Sequence, residues 1–88
     1  MKAAEREEVA ELLRCTAWRL MTGASMIAPF SDTAEEIYGS RYERPRVLAS
    51  ARELVHEIAP NWWGELNNIE TAHAALEAAA RVEEGSWP

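Results

Sequence analysis

The sequence predicts an all-α fold: a small helical bundle with three main helices and one short helix. Three observations predict this class: apolar residues recur at helical intervals in three segments, Ala, Glu, Leu and Arg are frequent, and Gly or Pro stands where each apolar pattern ends. The 88 residues can build one hydrophobic core but not two. We therefore expect a single helical domain over 1–88, with residues 86–88, including Trp87, as a short tail.

The first main helix is expected over about residues 3–22, because one of its faces is apolar throughout. Gly23 follows the last apolar position and is typical of a helix end, since glycine adopts the left-handed conformation found there. The predicted core face consists of Val9, Leu12, Leu13, Thr16, Ala17, Leu20 and Met21.

Residues 23–31 break the helical pattern and are expected to form an irregular link. Asp32 followed by Glu35 is the pattern of a helix cap with its reciprocal acid, so a short helix is expected over about 33–38, ended by Gly39. Three apolar residues of the link are expected to fold back onto the core: Met26, Ile27 and Phe30.

The clearest amphipathic pattern predicts a main helix over about 45–59. Pro45 suits its first position because the N–H that proline lacks has no intrahelical partner there, and Pro60 ends the helix. Its apolar face consists of Val47, Leu48, Ala51, Leu54, Val55, Ile58 and Ala59.

The last main helix has two candidate starting points. Either Asn61 caps one long helix over about 61–84, or Asn67 caps a shorter helix with Glu70 three residues on, which leaves 60–66 as a structured turn. We favour the long helix, because one series of residues holds a single face through five steps of 4, 3, 4, 3 and 4 residues. The series is Trp62, Leu66, Ile69, His73, Leu76 and Ala80.

Trp62 and Trp63 are adjacent, so on a helix their side chains would point about 100° apart. Trp62 belongs to the apolar series and is expected in the core, whereas Trp63 lies on its flank. Burying an aromatic side chain removes about 150–250 Å² from water, worth roughly 4–6 kcal/mol. Two interpretations remain: both tryptophans pack within one chain against residues 23–31, or Trp63 lies on a partner-binding surface.

Trp18 points away from the core face of the first helix, at about 180° from Val9, with Glu11 and Arg14 near it. One interpretation is that this helix is central in the bundle and buries two faces. The other is that Trp18 is a binding hot spot, because tryptophan and arginine are enriched at such positions. The predicted partner-binding residues are Glu11, Arg14, Trp18 and Trp63.

The net charge of −6 is unevenly distributed: residues 1–30 balance, 31–40 carry −3, 41–52 carry +3, and 53–88 carry −6. An acidic chain repels phosphates, so a neutral or basic protein partner is expected rather than direct nucleic-acid binding. The arginines of the positive segment are expected to pair with nearby acids or with a neighbouring subunit. They are Arg41, Arg44, Arg46 and Arg52.

The uncharged run Leu20–Ser31 is too short for a membrane span and is interrupted by Gly23 and Pro29. Charged residues closely follow Met1, so no export signal is expected. A lone cysteine, Cys15, cannot form an internal disulfide and is typical of the reducing cytosol. We expect a cytoplasmic protein that does not enter membranes.

Two Glu-x-x-His pairs, Glu53 with His56 and Glu70 with His73, give an alternative metal-binding interpretation. Such pairs place a carboxylate and an imidazole on adjacent turns, as in di-iron helical bundles, and would bind iron or zinc across subunits. A bundle-core site needs both histidines to point inward, but His56 lies on the polar side of its helix. Without metal, His73 is expected to be a hydrogen-bonded core residue and His56 a solvated one.

No nucleophile with its base, Gly-rich phosphate loop or zinc ligand set occurs in the sequence. We therefore expect a small acidic protein–protein interaction module, an adaptor, inhibitor or assembly subunit, that is not catalytic. Its expected partner is another protein or a second copy of the chain in a homodimer. The alternative is a metal-binding helical protein or small metalloenzyme that uses the Glu-x-x-His pairs.

Overall fold

A computed structural model describes residues 2–24 and 26–85, and these residues form four α-helices and no β-strand. The helices are α1 (Ala3–Met21), α2 (Pro29–Tyr38), α3 (Pro45–Ile58) and α4 (Asn68–Glu83). The predicted all-α class, a small bundle that includes one short helix, is confirmed. The predicted tail, 86–88 with Trp87, lies outside the described residues.

The predicted bounds of α1 and α3 are each within one residue of the observed ones. α1 ends where Gly23 adopts a φ of +87°, and the Ala24 N–H donates to the Arg19 carbonyl at 3.0 Å. That bond satisfies a carbonyl which the end of the helix would otherwise leave unpaired. α3 begins at Pro45, the position that proline suits best.

α2 begins four residues earlier than the predicted 33, at Pro29. Asp32 therefore lies inside the helix and is not its N-cap; its carboxylate instead accepts a hydrogen bond from the Ala28 N–H at 3.3 Å. The earlier start turns Phe30 into the core, where it is fully buried, whereas Ile27 is fully exposed and the expectation that it folds inward is wrong.

α4 begins at Asn68, so the favoured long helix over 61–84 does not form. The shorter alternative is correct: the Asn67 side chain accepts a hydrogen bond from the Glu70 N–H at 2.9 Å. Residues 59–67 form a turn-rich connection, in which the Glu65 N–H donates to the Asn61 carbonyl at 3.1 Å. This connection buries Trp62 without placing it on a helix.

The buried face of α4 is not the predicted one. Within the helix, the apolar series that favoured the long helix faces outward, because Ile69, His73, Leu76 and Ala80 are all exposed. The inward face consists largely of small residues: Thr71, Ala72, Ala74, Ala75, Ala78, Ala79 and Val82. Small side chains let two helices approach closely, and this orientation leaves the His73 imidazole in water, where its polar atoms are solvated.

α1 lies at the centre of the fold, because it packs against all three other helices and most extensively against α4. The two helices run antiparallel: Arg6 near the start of α1 lies beside Gly85 beyond α4, while Leu20 shares a cavity with Thr71 near the start of α4. The core they enclose is closed by Phe30 from α2 and by Val47, Ala51, Leu54 and Val55 from α3. None of the described helices is long and apolar enough to cross a bilayer.

Candidate protein-docking surface

Trp18 is 66% exposed although α1 is the central helix of the fold. The other helices cover three sides of α1 and leave the side that carries Trp18 open. The interpretation in which α1 is central and also buries the face of Trp18 is therefore right about the central position and wrong about that face. Glu11 and Arg14, both exposed, lie on the same side, because they are seven and four residues from Trp18.

An ion pair between Arg14 and Glu83 joins the open side of α1 to the outer side of α4. Residues seven apart lie on nearly the same side of a helix. Met21 therefore lies on the side of α1 that carries Arg14, and Leu76 lies on the side of α4 that carries Glu83. Met21 and Leu76 therefore border the same seam between the two helices. Both are partly exposed, at 39% and 38%.

Four large apolar side chains are exposed on the open side of α1 and the outer side of α4, and are called the outer strip: Trp18 and Met21 of α1, and Ile69 and Leu76 of α4. Ile69 precedes Leu76 by seven residues and is 49% exposed. Several large apolar side chains exposed on one side of a small protein are typical of an interaction site. Of these four, the sequence predicts only Trp18 as a surface residue: the prediction that Met21 belongs to the core face of α1 is wrong, as is the core assignment of Ile69 and Leu76 on α4.

Acidic residues flank the outer strip. Glu70, Glu77 and Glu84 are exposed and spaced seven apart, so they form one row along α4 beside the strip. Arg81 contacts Glu77 at 3.6 Å, and Arg14 is paired with Glu83. On α1 two further glutamates, Glu7 and Glu11, are exposed on the open side. The surroundings of the strip thus hold six glutamates and two arginines.

A groove of about 260 Å³ between α1 and α2 lies next to Trp18 and is also lined by Cys15, Thr33 and Ile37. Burial, with a smaller contribution from the nearby Glu11 carboxylate, raises the pKa of the Cys15 thiol above its ordinary value. A raised pKa keeps the thiol protonated at neutral pH, and a protonated thiol is a weak nucleophile. The lining also includes Arg19 and Glu36, which form an ion pair at 3.0 Å, so the groove has charged as well as apolar walls.

The tryptophan pair is divided between core and surface. Trp62 is buried edge-on against Phe30, with ring centroids 5.2 Å apart and an interplanar angle of 89°. Trp63 stacks on Trp62 at 4.8 Å but is 67% exposed, so packing within the chain covers Trp62 and only part of Trp63, and the partner-binding role of Trp63 stays a prediction. The guanidinium carbon of Arg52 lies 5.3 Å from the centroid of the Trp63 ring, within the range of a cation–π contact.

A cavity of about 250 Å³ lies beside this pair and is also lined by Met26, Leu66 and the exposed Ile27. The Trp62 indole Nε1 is buried and has no hydrogen-bond partner. The atom is not open to the cavity, since its own surface is covered. An unpaired buried N–H of this kind destabilises the fold by about 1–3 kcal/mol.

The two Glu-x-x-His pairs lie on exposed surfaces. His73 is exposed and is not the hydrogen-bonded core residue expected from its place in the apolar series, whereas His56 is exposed as expected. Glu53 and Glu70 are exposed too. Within residues 2–24 and 26–85, no three or more His, Cys, Asp or Glu side chains come together in a group that could hold a metal ion.

The arginines of the positive segment are engaged locally. Arg41 contacts Asp32 and Glu35 at 3.1 and 2.7 Å, as expected from the sequence. Arg44 contacts Glu8 of α1 at 2.9 Å, so this positive charge helps to hold α1 against the start of α3. Two further contacts are Arg46 with Glu5 and Arg52 with the Trp63 ring.

No protein-family model, no curated protein and no solved structure matches this chain.

Proposed function

We propose that this chain is a small acidic protein–protein interaction domain, an adaptor, inhibitor or assembly subunit, that docks its partner on the outer strip and is not catalytic. The observation that carries the proposal is the 66% exposure of Trp18, together with three further exposed apolar side chains on α1 and α4. The exposed area of these side chains lowers the free energy of a complex when a partner covers it, and contributes nothing to the stability of the isolated chain.

The free energy expected from covering Trp18 is that of a binding hot spot. A tryptophan side chain offers about 150–250 Å², so covering the exposed two-thirds of Trp18 would remove roughly 100–170 Å² from water. At about 25 cal/mol per Å² this is worth roughly 2.5–4 kcal/mol. Residues that contribute at least about 2 kcal/mol on truncation dominate the affinity of most protein interfaces.

The neighbouring residues have supporting roles in this proposal. The Arg14 guanidinium is held by Glu83, so it would lose little side-chain entropy on binding. Glu11 is exposed about one turn before Arg14 and would form part of the polar rim of the interface. Trp63 is proposed as a second contact, pre-ordered by its stack on Trp62 and by Arg52.

Two observations on Cys15 support the proposal, one against a cysteine nucleophile and one for a cytoplasmic location. The thiol of Cys15 has a raised pKa, which is opposite to the shift that activates a cysteine nucleophile. It is also a free thiol, which is stable in a reducing compartment. The cytoplasmic assignment is part of the proposal.

Affinity capture from the native host, followed by mass spectrometry, tests the proposal with matched variants. Trp18→Ala removes the exposed indole, and Tyr42→Ala removes an even more exposed aromatic ring, at 81%, from the turn between α2 and α3. We expect the wild type and Tyr42→Ala to recover the same protein, and Trp18→Ala to recover at least about tenfold less of it.

Light scattering on the purified chain tests a second copy as the partner in the same way. A dimer that Trp18→Ala converts to monomer, while Tyr42→Ala leaves it intact, would support docking between two copies. The proposal is wrong if the wild type is monomeric and every protein it captures is recovered equally by Trp18→Ala.

A further inference from the structure

The outer strip has the spacing that a helix, rather than a loop or strand, requires of its binding surface. On α4 the exposed residues Ile69, His73, Leu76 and Ala80 follow one another at steps of 4, 3 and 4. This is the spacing of a seam that packs against a second helix running alongside it. Met21 and Trp18 of α1 lie three residues apart on the open side of that helix and complete the outer strip.

The acidic residues beside the seam indicate the charge of the partner. Glu70, Glu77 and Glu84 repeat every seven residues, so they follow the apolar seam along its whole length. In paired helices these flanking positions are the ones that select a partner by charge. The arginines near the seam, Arg14 and Arg81, are already engaged with Glu83 and Glu77.

We propose that the outer strip binds an amphipathic α-helix of a partner protein that has a basic flank. The helix would carry apolar side chains at i, i+3 or i+4 and i+7 against the strip, with Lys or Arg placed to meet the row of Glu70, Glu77 and Glu84. This inference rests on the proposed docking function and adds the secondary structure and charge of the partner.

A second copy of the chain fits the strip less well than such a helix. A symmetric dimer brings the same surface patch of both copies together. The six glutamates and two arginines around one strip would then meet an identical set. Like charges placed opposite each other oppose association, whereas a basic helix would neutralise the acidic row.

The test uses synthetic peptides of about 20 residues, long enough to form helix in isolation. The first has Leu at heptad positions a and d and Lys and Ala elsewhere; the second has Glu in place of Lys; the third is a scrambled form of the first. The third keeps the positive charge but has no apolar face. Fluorescence anisotropy of each labelled peptide, titrated with the protein at low salt, gives the affinity.

We expect the Lys peptide to bind at least tenfold more tightly than the Glu and scrambled peptides, and added salt to weaken its binding. Leu76→Ser and Trp18→Ser should each weaken it about tenfold, while Tyr42→Ser leaves it unchanged. The two variants lie on different helices, and circular dichroism confirms that each is folded. Equal binding of the Lys and scrambled peptides, or of wild type and both strip variants, overturns the inference.

The outcomes also separate this inference from the proposed function. If no peptide binds but a partner is captured in a Trp18-dependent manner, docking stands and the basic helix is wrong. If light scattering shows a dimer that Leu76→Ser dissociates, the occupant of the strip is a second copy and the basic-helix inference is again wrong. If no binding depends on Trp18 in any experiment, both proposals fail.

Discussion

Exchanging alanine for leucine at two positions of α4 tests which of its faces is buried. Ala75 is fully buried on the inward face, whereas Ala80 is exposed and belongs to the apolar series that the sequence assigned to the core. The two substitutions add the same three carbon atoms to the same helix. Their effect on helix propensity is equal and small, so a difference between them reports the packing of each position.

The expected difference follows from the space available. Ala75→Leu puts a branched side chain into the face of α4 that packs against α1, where overpacking costs about 1–3 kcal/mol. For a chain of this size, each 1 kcal/mol lowers Tm by roughly 4–8 °C. Ala80→Leu extends into solvent, and surface substitutions of this kind stay within about ±0.5 kcal/mol.

Urea unfolding followed by far-UV circular dichroism measures both free energies. The unfolding midpoint of Ala75→Leu should fall clearly, and that of Ala80→Leu should match the wild type. The reverse pattern, a tolerated Ala75→Leu and a destabilising Ala80→Leu, would mean that the apolar series faces the core. The outer strip would then not exist, and both proposals built on it would be withdrawn.

Three further predictions concern single side chains. Trp62→Phe should change the free energy of unfolding by less than about 1.5 kcal/mol, because it removes a buried N–H without a partner, while Phe30→Ala should cost about 3–5 kcal/mol in the same urea titration. Asn67→Ala should cost about 0.5–2 kcal/mol, and hydrogen exchange at the Glu70 amide should accelerate, because the cap that accepts from this N–H is lost. Burial raises the pKa of Cys15, so its contribution to stability is complete below the thiol pKa of the unfolded chain, about 8.5, and is lost as pH rises through the higher folded pKa. Stability measured from pH 7 to 10 should therefore fall less steeply in Cys15→Ala than in the wild type, and equal slopes would contradict a raised pKa.

The parts of the fold that the sequence predicts correctly depend on neighbouring residues. Gly23 ends α1 and Pro45 begins α3 as expected, because a left-handed glycine and a first-turn proline act within about one helical turn. The Asn67 cap was one of two open alternatives and proved correct for the same local reason. The start of α2 at Pro29 has a comparable local signal that the stronger-looking Asp32 pattern concealed.

The sequence predicts only part of the outer strip. Trp18 lies opposite a wide apolar face on α1, so its outward position follows from helical geometry alone, although its exposure also requires that no other helix cover it. Met21 and Leu76 were assigned to the core, and Ile69 with them, so most of the outer strip was missed. The sequence also contains the pattern of the face that is actually buried. It is a second stripe of mostly small residues, of which Thr71, Ala75, Ala78 and Val82 follow one another at steps of 4, 3 and 4.

By itself, the sequence determined the helical class, most helix ends and the side of α1 that carries Trp18, because these depend on residue types within a turn or two. Tertiary structure decided which stripe of α4 is buried and that Trp62 is buried from a turn. α4 carries two stripes that both satisfy helical periodicity. The choice between them depends on how closely α1 can approach small side chains and on leaving His73 in water, and neither is visible within α4 alone.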